Sequence, residues 1–152
     1  MSDTHLEAYR TTKNSTNVSG REIEAAALTR CAMLLSDCQK KWDAPDRDAI
    51  LGEALRINQR VWSILQGELT SAGNPLPAKL KEDLLRLSIF IDKRILQVMA
   101  YPAPEKLNII IDINLNIAAG LNSSLHKRET AENNHKVIHM SPEKLTQTNF
   151  RV

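Results

Sequence analysis

Residues 104–121 contain too few polar side chains for a helix that lies on a protein surface. At about 100° per residue, one helical face would carry Leu107, Ile110, Ile111, Asn114, Ile117, Ala118 and Leu121. Ile109 and Ile113 fall outside that face, so polar side chains keep only a narrow part of the circumference. Because a surface helix normally leaves about half of its circumference in water, we expect this helix to have neighbours on more than one side.

Three further helical patterns precede this one, and turn residues separate them. Apolar residues recur at spacings of three and four over residues 19–42, 46–70 and 77–99, with Pro or Gly in each connection. Ser19 and Glu22 form a capping-box pattern that would start the first helix. Alternating strand patterns and short hairpin-turn signatures are absent from the sequence. The sequence therefore predicts an all-α fold, a compact bundle of about four antiparallel helices.

The two ends of the chain differ in composition from the middle. Residues 1–18 are polar and lack apolar anchors, and residues 126–152 are rich in Lys, Glu, Asn, His and Thr. Such segments bury too little apolar surface to offset the entropy that ordering would cost. We therefore predict a flexible N-terminal arm at 1–18, a helical domain at 19–125 and a disordered polar tail at 126–152.

Charge and hydropathy restrict the classes of partner. With 20 basic and 18 acidic residues, the net charge of +2 does not predict a surface that follows a nucleic-acid backbone. No apolar run approaches the roughly 18 residues of a membrane span, and no signal-peptide pattern opens the sequence. We expect a cytoplasmic protein without membrane insertion, in which Cys31 and Cys38 are reduced core residues.

The sequence contains no recognisable set of catalytic residues. It has no glycine-rich phosphate loop, and no nucleophile is paired with a base at a characteristic spacing. His135 and His139 have the i, i+4 spacing of metal ligands, but they lie in the predicted tail without a third ligand. We therefore expect no enzyme activity, no cofactor and no metal site.

Asn58 and Asn114 lie in the middle of apolar helical stripes. Residues 54–65 align with residues 110–121 at an offset of 56 that superimposes the two asparagines, as two packed helical hairpins would produce. In one interpretation, each asparagine satisfies the backbone or the other asparagine in the core and fixes the helix register. In the other, the asparagines form hydrogen bonds with a bound partner. Trp62 is expected to be a core anchor.

The third and fourth helical patterns have more apolar surface than a single contact requires. Leu85, Ile89 and Leu96 form a second lane nearly opposite the main stripe of the third pattern, and Phe90 lies among charged residues. One interpretation is a deeper core, formed between the helices or across a homodimer. The other is a face that receives an amphipathic helix of another protein.

Four sequence fragments together resemble one protein family. They are SGREIEA at 19–25, ALRINQRVWSIL at 54–65, NPLPAKL at 74–80 and INLNIAAGL at 113–121, preceded by Ala8 and Tyr9. In this order and spacing they resemble the flagellar FlaF proteins of alphaproteobacteria. The resemblance implies a small cytoplasmic helical protein that is required for flagellin production or export and has no enzyme activity.

Two functions are compatible with that resemblance. The first is a chaperone that binds a helical terminal segment of flagellin until export, with contacts at Leu85, Ile89, Phe90, Ile109, Ile113 and Ile117. The second is a post-transcriptional regulator of flagellin synthesis that acts on messenger RNA or on a regulatory protein. RNA binding is the less favoured, because the chain has only two Phe and two Tyr for base stacking. A homodimer through the apolar surface is a further alternative.

Overall fold

The computed structural model describes residues 3–138, with side chains for residues 20–123 and for three positions beyond them. The elements in chain order are α1 (Asp3–Lys40), α2 (Arg47–Thr70), α3 (Ala78–Ala100), a 3₁₀ turn (Pro104–Leu107) and α4 (Asn108–Ile138). No strand occurs in the part of the chain that the structure describes. The predicted all-α fold with four helices is therefore confirmed.

The first and last helices are longer than the sequence patterns predicted. Helix α1 begins at Asp3, so Ser19 and Glu22 lie inside it, and the capping box predicted at its start is wrong. Helix α4 continues to Ile138, beyond the predicted end of the helical domain at residue 125. Polar residues can extend an existing helix, because each added residue gains a hydrogen bond without a new nucleation step. Residues 139–152 of the predicted tail lie outside the described residues.

Short turns connect successive helices. Asp46 precedes α2, but its side chain makes no capping hydrogen bond, and its backbone oxygen accepts from the Ile50 amide at 3.1 Å. In the turn before α3, Asn74 Nδ2 donates to the Glu68 oxygen at 3.0 Å, and Asn74 Oδ1 accepts from the Leu76 amide at 3.0 Å. Connections this short place successive helices side by side with opposite directions.

Residues Ile23–Ala119 form a compact unit of their own, and the outer parts of α1 and α4 belong to a second unit. The interior of the first unit contains large apolar side chains that are at most 1 % exposed, namely Leu28, Leu35, Leu55, Trp62, Ile91, Ile95, Val98, Leu107 and Ile110. Asn58 and Gln66 of α2 form hydrogen bonds with α1, α3 and α4. Helix α2 therefore joins the other three helices through polar contacts as well as through the core.

Helices α1 and α2 form a first helical hairpin, and α3 and α4 with the 3₁₀ turn between them form a second. The burial pattern of the first hairpin repeats in the second with an offset of 56 residues. Four buried residues of α2 correspond to four buried residues of the 3₁₀ turn and α4, namely Leu51 to Leu107, Ala54 to Ile110, Asn58 to Asn114 and Trp62 to Ala118. In the first helices of the hairpins, the same offset relates buried Leu35 to buried Ile91. The two asparagines therefore occupy equivalent positions where the hairpins meet.

Candidate functional site

Exposed apolar side chains are concentrated on α3. This helix exposes Leu80, Ile89, Phe90, Leu96 and Met99, whereas the described parts of α1 and α2 together expose Ile23, Met33 and Ile64. Among the six predicted contact residues, Ile89, Phe90 and Ile109 are exposed, and Leu85, Ile113 and Ile117 are half-buried. Helix α3 is therefore the element around which a candidate binding surface is built.

Ile89 and Phe90 lie on different flanks of α3. Consecutive residues leave an α-helix about 100° apart. Ile89 lies on the flank of Asp92, whose carboxylate accepts a hydrogen bond from Gln66 Nε2 of α2 at 3.2 Å. Phe90 lies on the opposite flank, and Arg94 follows it by one turn. The predicted contact residues of α3 are therefore divided between two sides of the helix.

A lane of apolar side chains runs along α3 on the same flank as Asp92. It contains Leu85, Ile89, Leu96 and Met99, and Asp92 occupies the place between Ile89 and Leu96 that would complete the four-and-three repeat of a coiled-coil seam. Ile89, Leu96 and Met99 are 54 %, 63 % and 54 % exposed, respectively. We refer to Leu85, Ile89, Leu96 and Met99 as the α3 lane. The sequence analysis placed Leu96 in the second lane but named neither Leu96 nor Met99 among the expected contact residues.

A second apolar area lies where α3 and α4 adjoin. Ile109, Ile113 and Ile117 follow one another at intervals of about one turn along α4. Asn108 lies on another flank of this helix, where its Oδ1 accepts a hydrogen bond from a glutamine of α1 at 2.6 Å. The isoleucine row thus points away from α1, and Phe90 points away from α2. From this helical geometry we infer that both lie on the side where α3 and α4 adjoin each other as consecutive helices. We refer to Phe90, Ile109, Ile113 and Ile117 as the α3–α4 face.

Asn58, Trp62 and Asn114 form a buried network between α2 and α4. Asn114 Nδ2 donates to Asn58 Oδ1 at 2.7 Å, and Trp62 Nε1 donates to Asn114 Oδ1 at 2.8 Å. Asn58 Nδ2 also donates to the backbone oxygens of Ala54 at 2.9 Å and Cys31 at 3.4 Å. All three side chains of the network are at most 1 % exposed. Their polar atoms are satisfied inside the protein, and neither asparagine faces a partner at the surface.

Arg94 differs from the cations near it on α3. Arg86 pairs with Glu82 at 2.7 Å, and Lys79 pairs with Asp83 at 3.4 Å, each across one turn of exposed surface. The guanidinium carbon of Arg94 lies 5.6 Å from the ring centre of Phe90. Its Nε is buried and has no hydrogen-bond partner among the described residues. The α3–α4 face is therefore bordered by a cation with an unsatisfied donor.

The two cysteines are free thiols in the core. Burial raises the pKa of Cys31 to about 11 and also raises the pKa of Cys38. A buried thiol that stays protonated is a poor nucleophile. No group of three or more His, Cys, Asp and Glu side chains in the described part of the chain could hold a metal ion. The pair formed by His135 and His139, which the sequence analysis did not favour as a metal site, cannot be placed, because His139 lies outside the described residues.

A polar pocket lies at the turn between α1 and α2. Its lining residues are Trp42, Asp43, Ala44, Pro45, Arg47 and Asp48. The guanidinium of Arg47 lies 4.8 Å from the Trp42 ring centre and pairs with Asp48 at 3.0 Å. Because its cation is already engaged within the pocket, we regard this pocket as a weaker candidate than the two apolar surfaces.

Among the described helices, none combines the length and the hydropathy that a bilayer span requires. The model of a protein family described as flagellar protein FlaF matches residues 5–121 of the chain. This range includes the buried network, the α3 lane and the α3–α4 face. No curated protein and no solved structure matches the chain.

Proposed function

The chain belongs to the FlaF family of flagellar proteins, and from this premise we propose that it is a cytoplasmic chaperone that binds a helical terminal segment of flagellin. The family's association with the flagellum supports a role in flagellum biogenesis. The terminal segments of flagellin are amphipathic and lack their final partners until the filament assembles. A chaperone would cover their apolar faces from synthesis until export.

One observation carries the proposal, namely the exposed apolar side chains of the α3 lane. Single exposed apolar residues are normal on protein surfaces. Ile89, Leu96 and Met99 are different, because they lie along one flank of the same helix and could contact the apolar face of a second helix on both sides of Asp92. The α3 lane is therefore suited to an amphipathic helix from another chain.

The exposed area of the α3 lane limits how much it can contribute to binding. Ile89, Leu96 and Met99 each keep slightly more than half of their surface exposed. Burial of a whole side chain of this size contributes about 1.5–3 kcal/mol, so covering these three would contribute about 2.5–5 kcal/mol. Association itself costs an estimated ~4–15 kcal/mol. The proposal therefore requires flagellin to contact the α3–α4 face as well as the α3 lane.

Two aspartate variants test these surfaces separately. Ile89→Asp places a charge in the α3 lane, and Ile109→Asp places one in the α3–α4 face. Each is expected to lower the affinity for purified monomeric flagellin at least about tenfold, because binding would bury an unpaired carboxylate. Isothermal titration calorimetry measures the affinity, and circular dichroism measures whether the variants keep their helix content.

Ile64→Asp is the matched control. Ile64 on α2 is 56 % exposed, which is close to the exposure of Ile89, and it belongs to neither apolar surface. We expect this variant to bind flagellin like the wild-type protein. The proposal is wrong if the wild-type protein does not bind flagellin, or if Ile89→Asp and Ile109→Asp both bind as the control does.

Two further measurements separate the chaperone from RNA binding and from a homodimer, namely the salt dependence of binding and the oligomeric state without flagellin. RNA binding would weaken steeply between about 50 and 200 mM salt through counterion release, whereas contact between apolar helices would change little. A homodimer through the α3 lane would appear as a mass that rises with concentration in analytical ultracentrifugation without flagellin. Ile89→Asp would then return the protein to a monomer.

A further inference from the structure

Arg94 occupies a position that the helical pattern reserves for an apolar residue. Leu87, Ile91, Arg94 and Val98 follow each other at spacings of four, three and four, and Ile91 and Val98 are fully buried. The offset of 56 residues relates Arg94 to Cys38 of the first hairpin, which is only 1 % exposed. An arginine is rarely placed along a buried stripe unless its charge is paired. The architecture alone therefore does not explain this residue.

The hydrogen-bonding state of Arg94 also distinguishes it. Its Nε is buried without a partner, and among the described residues its guanidinium contacts the ring of Phe90 without forming an ion pair. Stacking on an aromatic ring holds the planar guanidinium in a fixed orientation. The buried Nε is out of reach of another protein, but the two Nη groups also have no hydrogen-bond or ion-pair partner among the described residues, and a guanidinium held in this way can bind a carboxylate through two parallel hydrogen bonds from them.

We propose that Arg94 is a specificity-determining residue that binds the side-chain carboxylate of an Asp or Glu in the captured flagellin helix. This inference rests on the proposed function. The apolar residues of the α3–α4 face would bind any amphipathic helix, because burial of apolar surface is non-directional. A carboxylate at one position of the flagellin helix must meet the Arg94 guanidinium, and this contact fixes the position of the flagellin helix along α4. Helices without that acidic residue would leave the guanidinium without a partner and bind more weakly.

Replacement of Arg94 separates binding from stability. Arg94→Met is expected to weaken flagellin binding about 10- to 100-fold, the range that the loss of a charge-assisted pair produces. The flagellin affinity of Arg94→Lys is expected to lie between those of the wild-type protein and Arg94→Met, because an ammonium keeps the charge but cannot form two parallel hydrogen bonds with a carboxylate. The melting temperature of Arg94→Met should equal or exceed that of the wild-type protein, because the substitution removes a buried unsatisfied donor. A purely structural arginine would give the opposite change in stability.

Arg86→Met is the control for removing a cation from the same helix. Arg86 is exposed and already paired with Glu82, so its loss should change the affinity less than about twofold. The acidic partner is then identified by charge reversal, in which Arg94→Glu regains affinity when one Asp or Glu of flagellin is replaced by Lys. If wild-type protein binds flagellin and Arg94→Met binds equally well, this inference is overturned and the proposed function stands. If the wild-type protein does not bind flagellin, the proposed function fails, and this inference fails with it.

Discussion

Removal of the Asn114 side chain is predicted to destabilise the fold more than removal of either of its partners. Asn114 accepts from Trp62 Nε1 and donates to Asn58 Oδ1, at 2.8 Å and 2.7 Å. Asn114→Ala therefore leaves two buried polar atoms without a partner. Each such atom costs about 1–3 kcal/mol, so the expected loss in the free energy of unfolding is about 2–6 kcal/mol.

The partners provide an internal ranking. Trp62→Phe leaves Asn114 Oδ1 without its donor. Asn58→Ala leaves Asn114 Nδ2 without its acceptor, while the Ala54 and Cys31 oxygens that also lose the Asn58 amide are helix carbonyls, which can keep a backbone hydrogen bond. Each should cost about 1–3 kcal/mol through hydrogen bonding, with an additional loss of packing. Asn116→Ala on the same helix is the control, because Asn116 is exposed and its replacement should stay within about 0.5 kcal/mol of wild type.

Urea unfolding followed by circular dichroism measures these free energies. The double variant Asn58→Ala/Asn114→Ala tests the network directly, because one orphaned atom of each single variant is absent from the double. The two single variants together orphan three atoms and the double variant orphans only Trp62 Nε1, so the loss in the double should be smaller than the sum of the single losses by about 2–6 kcal/mol. Additive losses, or an Asn114→Ala variant no less stable than Trp62→Phe, would refute the assigned hydrogen bonds.

Two predictions concern the buried thiols. Since burial raises the pKa of Cys31 to about 11, the unfolded chain releases this proton near pH 9 while the folded chain retains it. The contribution of the Cys31 thiol to the free energy of unfolding is complete below pH 9 and is lost as the pH rises toward 11. The free energy of unfolding of Cys31→Ala should therefore decline less between pH 9 and 11 than that of the wild-type protein, as measured by urea unfolding at several pH values. Native protein at neutral pH should react with iodoacetamide far more slowly than urea-unfolded protein, because Cys31 and Cys38 are buried and protonated; equal rates, measured by mass spectrometry, would contradict this.

The fold was predictable from the sequence because the apolar spacing is regular in the middle of the chain. The stripe through Leu51, Leu55 and Trp62 predicted the buried side of α2, and each of these residues is buried. The helix ends were not predictable in the same way. A capping pattern such as Ser19 with Glu22 has no effect where the helix has already started, and polar residues can continue a helix without marking its end.

The candidate surfaces could be predicted only in part. Spacing identified Leu85, Ile89 and Leu96 as a second lane, but it could not show that α2 contacts α3 on the flank opposite to Phe90. That assignment required the hydrogen bond between Gln66 and Asp92. The state of Arg94 was also inaccessible, because a sequence does not show whether a guanidinium has a partner in the folded chain.

The comparison between the two hairpins distinguishes residues that the architecture needs from residues that serve another purpose. At an offset of 56, Leu96 corresponds to Lys40 and Ile109 to Glu53, and both polar counterparts are exposed. The first hairpin thus folds with charged residues where the second has apolar ones. Leu96 and Ile109 are therefore not required for packing, which agrees with their proposed contact with flagellin.

Transfer of the first hairpin's residues to the second tests whether Leu96 and Ile109 serve binding or packing. The double variant Leu96→Lys/Ile109→Glu should keep the wild-type melting temperature, because it places charges at exposed positions where the equivalent hairpin tolerates them. It should lose flagellin binding, because it introduces a charge into both apolar surfaces. Calorimetric titration and thermal unfolding of the same preparation measure the two properties. A large loss of stability with intact binding would show that these residues serve the core of the bundle, and that the surface for flagellin lies elsewhere.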